Sequence, residues 1–219
     1  MDVRLLSEKN SVLNQFISEI RDENIQRDSM RFRRNMERIG EIMAYEISKE
    51  LQYEEKEVTT PLGIANVHVP SEKPVLATIL RAGLPFHQGL LNYFDSSDNS
   101  FVSAFRKYSK DGSFHIELEY ISCPTLEDRT LIIADPMLAT GSSMILAFNS
   151  LLKNGKPKHT HIATVIACKD GIQYMQKHLC TKNATLWAAA IDEELTVKSY
   201  IIPGLGDAGD LAYGNKDYL

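Results

Sequence analysis

The stretch Leu131-Ile132-Ile133-Ala134-Asp135-Pro136-Met137-Leu138-Ala139-Thr140-Gly141-Ser142-Ser143 decides the fold of this chain. Its aliphatic first half predicts a buried strand that ends at one carboxylate. A short turn of small residues follows, and Met144 to Phe148 then resumes an apolar pattern of helical period. At such a strand–loop–helix junction, loop amides and the first free N–H groups of the helix converge on a point that attracts an anion.

The turn formed by residues 139–143 suits a phosphate monoester. Gly141 permits close backbone approach or a positive φ, and the hydroxyl residues around it add hydrogen-bond donors. Asp135, at the carboxyl end of the strand, is suitably placed for a pair of sugar hydroxyls beside that phosphate. The alternative is an ordinary strand-to-helix turn in which a serine caps the helix. The carboxylate and the full thirteen-residue pattern favour the phosphate site.

The residues from Asp135 to Gly141 resemble the phosphoribosyl-diphosphate (PRPP) motif of the type I phosphoribosyltransferases. Most members carry two adjacent acidic residues here, whereas Pro136 in the second place is similar to the uracil phosphoribosyltransferases. Ser142 departs from the second glycine that is more usual in those enzymes. A serine keeps the backbone N–H and adds a hydroxyl, so we expect the anion site to remain.

Composition predicts one globular domain over residues 1–219, with 43% hydrophobic and 24% charged residues. The net charge of −5 argues against a nucleic-acid partner held by bulk electrostatics. The three cysteines show no metal or redox spacing and read as reduced thiols. No apolar signal core opens the chain, and no stretch approaches the roughly 18 apolar residues of a membrane span. We therefore expect a cytoplasmic protein without a membrane partner.

The first third of the chain predicts two helices and a hairpin. Residues 1–27 form an N-terminal extension with a weak helical pattern, and residues 28–51 form a strongly amphipathic helix that Asp28 or Ser29 caps. The charged face of that helix is either solvated or packed against a partner subunit. Residues 54–69 change period and predict a β-hairpin, which is typical of packing or subunit contact.

Arg81 lies directly after an apolar run, residues 75–80, that predicts a strand buried on both faces. A charge in that position is costly unless it meets an anion. A structural ion pair is one way to satisfy it. Residues 79–84 resemble the diphosphate loop of the uracil enzymes, and this resemblance assigns Arg81 to PRPP. A helix over residues 84–94 follows.

Residues 106–124 are interpreted as a flexible hairpin arm that can close over a site, because residues 114–120 alternate apolar and polar side chains. The arm follows a short strand over residues 100–105. Arg106, at its base, matches the second PRPP-binding arginine of the family. The alternative is that Arg106 and Lys107 merely border a loop.

The helix after the central motif is predicted to stop at Gly155, a left-handed C-cap. Three further elements continue the alternation: a strand over residues 162–168, a helix capped by Asp170 and running to Leu179, and a strand over residues 184–191. His159 and His161 lack a cysteine or acidic residue at ligand spacing, so we predict no metal site there.

The segment from Tyr200 to Asp210 reads YIIPGLGDAGD, and its glycines and proline argue against a helix or a central strand. Its free peptide groups suit a flat base with alternating donors and acceptors. Residues 200–214 resemble the uracil-binding loop of the family, which other phosphoribosyltransferases do not share. The resemblance implies that uracil is bound by Ile201, Gly206, Asp207 and Ala208. The departures at Leu211, Ala212 and Tyr213 are expected to affect packing of the tail.

A turn role is the alternative for Asp207, because aspartate often bonds nearby amides. We assign that role to Asp210 instead. The resemblance then places Asp207 at the junction of the two substrates, with its backbone on uracil and its carboxylate on PRPP, directly or through a magnesium-bound water.

The four motifs stand in the family's order, and alternating strands and helices independently predict an α/β fold with a parallel central sheet flanked by helices. The resemblance adds a peripheral hairpin hood. It implies that uracil and PRPP give uridine 5′-monophosphate (UMP) and diphosphate, a pyrimidine salvage reaction, with Mg²⁺ as the cofactor. The metal is held mainly through PRPP, with no direct protein ligand. The implied catalytic residues are Asp135, Arg81 and Asp207. The implied PRPP-binding residues are Arg81, Arg106, Asp135, Pro136, Met137, Leu138, Ala139, Thr140, Gly141, Ser142, Ser143 and Asp207.

Two other functions remain open at this point. One is a non-catalytic PRPP or nucleotide sensor on the same fold, and the other is an enzyme for a different base. A sensor predicts a basic face or a lost substrate loop, and neither is visible in the sequence. A purine enzyme needs a deeper pocket with an aromatic stacking partner and has no need of this terminal loop. For the uracil enzyme we expect a homodimer or a higher homo-oligomer.

Overall fold

The computed structural model describes residues 1–108 and 114–215, with the backbone but not the side chains of residues 104–108 and 114–118. The strands within these ranges are β1 (Asp2–Leu5), β2 (Tyr53–Thr60), β3 (Gly63–Pro70), β4 (Val75–Leu80), β5 (Asp98–Tyr108), β6 (Phe114–Ser122), β7 (Thr130–Ala134), β8 (Met137–Leu138), β9 (His159–Cys168), β10 (Ala184–Asp192), β11 (Glu194–Leu195) and β12 (Ile201–Ile202). The α-helices are α1 (Val12–Arg21), α2 (Ser29–Ser48), α3 (Leu84–Tyr93), α4 (Ser142–Leu151), α5 (Lys169–His178) and α6 (Ala208–Tyr213).

The main sheet has the strand order β1-β10-β9-β7-β4-β5-β6, and β8 pairs with β9. In the described part of the chain, every pair of this sheet is parallel except β5 with β6. The predicted α/β fold with a parallel central sheet is therefore confirmed. The edge strand β1 was not foreseen: it pairs with β10 from Asp2 opposite Thr185 to Leu5 opposite Ala188.

Both faces of the sheet are covered, which explains why its central strands β4 and β7 are mostly apolar rather than alternating. Leu131 and Ile133 of β7 pack against α4 and α5, whereas Ile132 and Ala134 pack against α1, α2 and α3. All four side chains are fully buried. Alternate side chains of β7 therefore belong to two separate apolar cores, one on each face of the sheet.

Of the two predicted helix N-caps, that of α2 is confirmed and that of α5 is wrong. Asp28 caps α2 as predicted, since its Oδ1 accepts hydrogen bonds from the N–H groups of Met30 and Arg31. The prediction that Asp170 caps α5 is wrong. Strand β9 runs to Cys168 and the helix begins at once, so Asp170 lies inside the first turn.

The hairpin of β2 and β3 forms as predicted and pairs strand to strand over its full length. Within the described residues these two strands make a separate two-stranded sheet. Most of the hairpin's side chains are exposed, including Leu62 at its tip and Ile64. An isolated hairpin is only marginally stable in water.

Among the helices within residues 1–108 and 114–215, none combines the length and apolar character that crossing a bilayer requires.

His161 and Trp187 form a buried polar pair between β9 and β10. The indole Nε1–H of Trp187 donates to His161 Nδ1 over 3.1 Å, which requires that this ring nitrogen carry no proton. The His161 side chain is only 2% exposed. Burial, followed by repulsion from His159, lowers the pKa of His161 to about 3. The fold therefore holds this imidazole in its neutral form.

We expect His161 to make the protein less stable in mild acid. Its pKa in the folded state lies below the unfolded value, so its contribution is intact above pH 6.5 and is lost as the pH falls toward 3. Between pH 7 and pH 5 this group should lower the free energy of unfolding by about 2 kcal/mol. His161→Asn keeps an acceptor for Trp187 but cannot be charged, so urea unfolding at the two pH values should show a smaller loss. The exposed residue change His68→Gln is the control, and an unchanged loss in His161→Asn would contradict the assignment.

Candidate active site

Strands β4 and β7 bring two of the predicted motifs to the same edge of the sheet. They are adjacent and parallel, with Thr78 opposite Ala134. Arg81 follows the end of β4 and Asp135 follows the end of β7, so both residues leave the sheet at its carboxyl edge. This is where parallel α/β sheets bind ligands.

Gly83 allows these two loops to meet. A Cβ at this position would lie 2.1 Å from Thr78 Oγ1 and 2.6 Å from the carbonyl oxygen of Ile79. Both distances are shorter than any real Cβ contact, so a side chain cannot be accommodated without moving the loop. Thr78 Oγ1 in turn donates to the carbonyl oxygen of Ala134, which ties β4 to β7 immediately before Asp135.

The predicted anion loop has the expected strand–loop–helix form. Gly141 adopts φ +79° at the N-cap of α4, which is the left-handed conformation that favours glycine. Thr140 Oγ1 accepts from the N–H of Ser142 over 3.3 Å and donates to the Ser142 hydroxyl over 3.2 Å. Strand β8, which the sequence did not predict, attaches the start of the loop to the sheet, because Met137 and Leu138 pair with β9.

Helix α5 closes the back of the same loop through Gly171. A Cβ on Gly171 would lie 2.3 Å from the carbonyl oxygen of Ala139. A Cβ on Gly141 would lie 2.9 Å from the carbonyl oxygen of Gly171. The loop is therefore fixed by backbone-to-backbone packing that tolerates no side chain at either glycine.

Asp135 carries the most strongly perturbed carboxyl group of the site. Its backbone N–H donates to the carbonyl oxygen of Ala163, and its Oδ1 accepts a long 3.4 Å hydrogen bond from the N–H of Met137. The side chain keeps some contact with solvent, but desolvation of the carboxyl group raises its pKa to about 7, against a smaller lowering by the Met137 N–H. Such a group gains from new hydrogen-bond donors or a nearby positive charge, since both favour its ionised form.

Arg81 links the edge of the sheet to the C-terminal segment. Its Nη2 donates to Asp210 Oδ1 over 2.7 Å and to the carbonyl oxygen of Gly214 over 3.1 Å. The ion pair that we considered as an alternative is thus present. The Nε atom of Arg81 is buried and has no hydrogen-bond partner among the residues that the structure describes.

The C-terminal segment departs from the prediction of a loop over residues 200–214. It begins with β12, which pairs with β11, and it ends with the short helix α6. Asp207 is the N-cap of α6, and its Oδ1 accepts from the N–H of Asp210 over 2.9 Å. The assignment of the turn role to Asp210 is therefore wrong, because Asp207 has that role and Asp210 contacts Arg81.

The predicted base-binding residues differ in their surroundings. Ile201 and Ala208 are buried in the core that also contains α2. Gly206 has φ +93° and open space where a Cβ would point. The backbone around Gly206 and Asp207 is therefore the part of the segment that a flat ligand can approach.

The tail after Asp210 packs against the core and against α2. Leu211 contacts the core, and Ala212 is fully buried. The guanidinium of Arg33 donates to the carbonyl oxygen of Ala212 over 2.6 Å and lies 5.9 Å from the ring centre of Tyr213.

Two parts of the prediction fall outside what the structure describes. Arg106 lies on β5, but its side chain belongs to the undescribed set, and residues 109–113 of the predicted arm are not described. Arg21 and Asp192, by contrast, were missed by sequence reasoning, although they contact the C-terminal segment directly. The available signal was an arginine at the end of one predicted helix and an aspartate just after a buried strand.

A parallel sheet with an anion loop after one central strand and an arginine loop after its neighbour defines the type I phosphoribosyltransferase class. The family model for uracil phosphoribosyltransferase matches residues 7–215. The chain belongs to the uracil phosphoribosyltransferase family.

Named relatives agree with that assignment. A uracil phosphoribosyltransferase of Porphyromonas gingivalis is 57% identical over 99% of this chain and 100% of that protein. One from Thermococcus gammatolerans is 39% identical over 94% of this chain and 91% of that protein. A solved structure of the AQ2163 protein from Aquifex aeolicus matches with a TM-score of 0.84 at 29% identity, covering 99% of this chain and 100% of that one.

Proposed function

We propose that this chain transfers the phosphoribosyl group of PRPP to uracil, forming UMP and diphosphate. The observation that carries the proposal is the contact of Arg81 with Asp210 and Gly214, at 2.7 and 3.1 Å. This contact supports the proposal, because it joins the segment that we assign to the base, residues 200–214, to the loop that we assign to the diphosphate, and β4 before that loop neighbours β7 before Asp135. Both substrates of a transfer reaction need to meet at one such point.

We assign the 5′-phosphate to residues 139–143 and the ribose hydroxyls to Asp135. The remaining residues of this stretch, Pro136, Met137 and Leu138, connect the two contacts. Phosphate binding far from the reacting bond supplies energy that orients the sugar. The Asp135 carboxylate stabilises a sugar that gains positive charge as the bond to diphosphate breaks.

We assign the diphosphate to Arg81 and Arg106. The C1–O bond breaks with its electron pair going to the diphosphate, and the N1 atom of uracil forms the new bond to C1 and loses its proton to water or to Asp207. Two guanidinium groups stabilise the charge that develops on the leaving oxygen. A guanidinium has five N–H donors, so Arg81 can contact Asp210 through Nη2 and an anion through other atoms.

We assign Mg²⁺ to the PRPP molecule rather than to a protein cage. No group of three or more His, Cys, Asp or Glu side chains in the described part of the chain is arranged to hold a metal ion. A cation that arrives with the phosphates of its substrate keeps several waters and needs few protein ligands. We assign to Asp207 a contact with this ion through water, and an ion held there would supply positive charge beside the diphosphate.

We propose that the chain works as a homodimer or higher oligomer in the cytoplasm. The exposed hairpin of β2 and β3 supports the first part, because its apolar side chains and its strands lack cover in a single chain. The free thiols of Cys123, Cys168 and Cys180 support the second. A single-chain mass of 24.7 kDa in light scattering would contradict the first, and recovery outside the cytoplasmic fraction the second.

A panel of free bases offered with PRPP and magnesium tests the proposed reaction. We expect UMP from uracil, no product from purines, and roughly 10⁴-fold lower kcat/KM for cytosine. Cytosine replaces the acceptor at position 4 by a donor and lacks the N3 proton, so fixed backbone groups around Gly206 and Asp207 would be left unpaired. Equal use of uracil and cytosine would show that these groups do not read the base. PRPP binding without any turnover would favour the sensor.

Asp135→Asn should separate activity from stability. Loss of a charge-assisted contact to the sugar should cost roughly 1.5–3 kcal/mol in the transition state, about ten- to a hundredfold in rate. The variant should also melt higher than the wild type, because it no longer buries a carboxylate. The folded pKa is raised from 3.8 to about 7, so the penalty is absent below pH 3.8 and grows toward pH 8. The difference in Tm should widen over that range; wild-type kinetics in the variant would remove Asp135 from the site.

Asp207→Asn should lower kcat/KM by about tenfold and change the magnesium dependence, with little effect on Tm. Asparagine caps a helix as well as aspartate does, so only the charge is lost. Asp28→Asn at the N-cap of α2 is the matched control and should leave kinetics unchanged. Retained activity with a Tm several degrees lower would make Asp207 a purely structural cap.

A further inference from the structure

The N-terminal segment is joined to the base-binding segment by an ion pair. Arg21, the last residue of α1, donates from Nη1 to Asp192 Oδ2 and from Nη2 to Asp192 Oδ1, each over 2.7 Å. The same Nη1 donates to the carbonyl oxygen of Gly204 over 3.0 Å. The Arg21 side chain is 22% exposed and that of Asp192 only 7%.

Asp192 contacts the backbone of the same residue, Gly204. Its Oδ2 accepts from the N–H of Gly204 over 2.9 Å, so both the donor and the acceptor of Gly204 are engaged. Gly204 itself has φ +54°, and a Cβ there would lie 2.2 Å from the carbonyl oxygen of Ile201. The turn between β12 and Gly206 is therefore fixed by charged side chains from outside it.

Gln26 adds a further contact just after α1. The hydrogen-bonding surroundings assign the amide nitrogen of Gln26 to the side that faces two carbonyl oxygens. In this orientation it donates to the carbonyl oxygen of Leu205 over 2.8 Å and to that of Ile20 over 3.2 Å. Arg21 and Gln26 thus hold Gly204 and Leu205, two consecutive residues of the base-binding segment. The N–H of Gly204 and the carbonyl oxygens of Gly204 and Leu205 are occupied by these contacts, which leaves the reading of a base to the residues that follow.

We propose that Arg21 and Asp192 are positioning residues for the base subsite. They fix the backbone at Gly204 and thereby set the donors and acceptors at Gly206 and Asp207. This inference rests on the proposed function of that segment. A shell of hydrogen bonds behind the contacting groups commonly decides their alignment.

The chemistry of the Arg21–Asp192 pair indicates that it orients the backbone rather than stabilises the fold. Removing two charges from water is costly, and a well-packed apolar pair often stabilises a fold equally well. A two-pronged arginine–carboxylate contact fixes both partners in one orientation. The segment it holds has only a two-residue strand of its own before the turn.

Three variants test the inference against one matched control. Arg21→Lys keeps the charge but loses the two-pronged contact, Arg21→Met removes both, and Asp192→Asn keeps an acceptor for the Gly204 N–H. Arg31→Met is the control, because it breaks a 2.8 Å ion pair with Glu19. The other hydrogen bonds that Glu19 accepts in the described part of the chain come from Gln15 and Asn35, not from the segment.

We expect Arg21→Met to raise the KM for uracil by about tenfold to a hundredfold while the KM for PRPP stays within about twofold. The preference for uracil over cytosine should fall by about tenfold, and Arg21→Lys should recover only part of both losses. Hydrogen exchange of the peptide spanning residues 201–207 should accelerate in all three variants and stay unchanged in Arg31→Met.

Proportional increases in both KM values that follow the loss in Tm would mean a general structural role and overturn the inference. So would unchanged exchange at residues 201–207. Failure of the proposed function looks different: the wild type would then turn over another base of the panel. The same comparison of KM values with that base, and the exchange measurement, would still decide the role of Arg21.

Discussion

The parallel pairing of β4 with β7 is the constraint on which the site depends. Backbone hydrogen bonds fix Thr78 opposite Ala134, and this register decides that Arg81 and Asp135 leave the sheet side by side. A slip of one residue would turn every apolar side chain of β7 to the wrong core. Because both faces of β7 are buried, the two cores together hold the register that aligns the two loops.

Asp135 and Arg81, the charged residues at this edge, would change their interaction partners when a ligand binds. Asp135 is costly to ionise in the free protein, since its carboxyl group is desolvated and, among the residues described, accepts only a long hydrogen bond from Met137. Arg81 already contacts a carboxylate, that of Asp210. A ligand that brings hydroxyl donors to the first and phosphate oxygens to the second would improve the surroundings of both. The proposed ligand, a charged sugar phosphate, has both kinds of group.

The proposed base-binding segment, residues 200–214, is held in its conformation by hydrogen bonds from residues far away in the sequence. Arg21 and Gln26 reach it from the N-terminal side, Asp192 from the end of β10, and Arg33 of α2 holds its tail at Ala212. A glycine-rich segment has little preference of its own for one conformation. External hydrogen bonds therefore decide which of its peptide groups are occupied and which remain accessible.

The sequence by itself determined the layered α/β architecture, the strand–loop–helix form of residues 131–148 and the family, because these depend on local patterns: continuous apolar strands, helical periods and short motifs such as Asp135 to Gly141. It did not determine that β1 joins the sheet edge, since four residues carry too little pattern. The tertiary structure alone decided that Asp207 caps α6 while Asp210 turns to Arg81. Two aspartates three residues apart are chemically equivalent until a distant partner distinguishes them. The pairing of Arg21 with Asp192 has the same origin: a contact across 171 positions leaves no trace in local sequence, because it forms only when the sheet is complete.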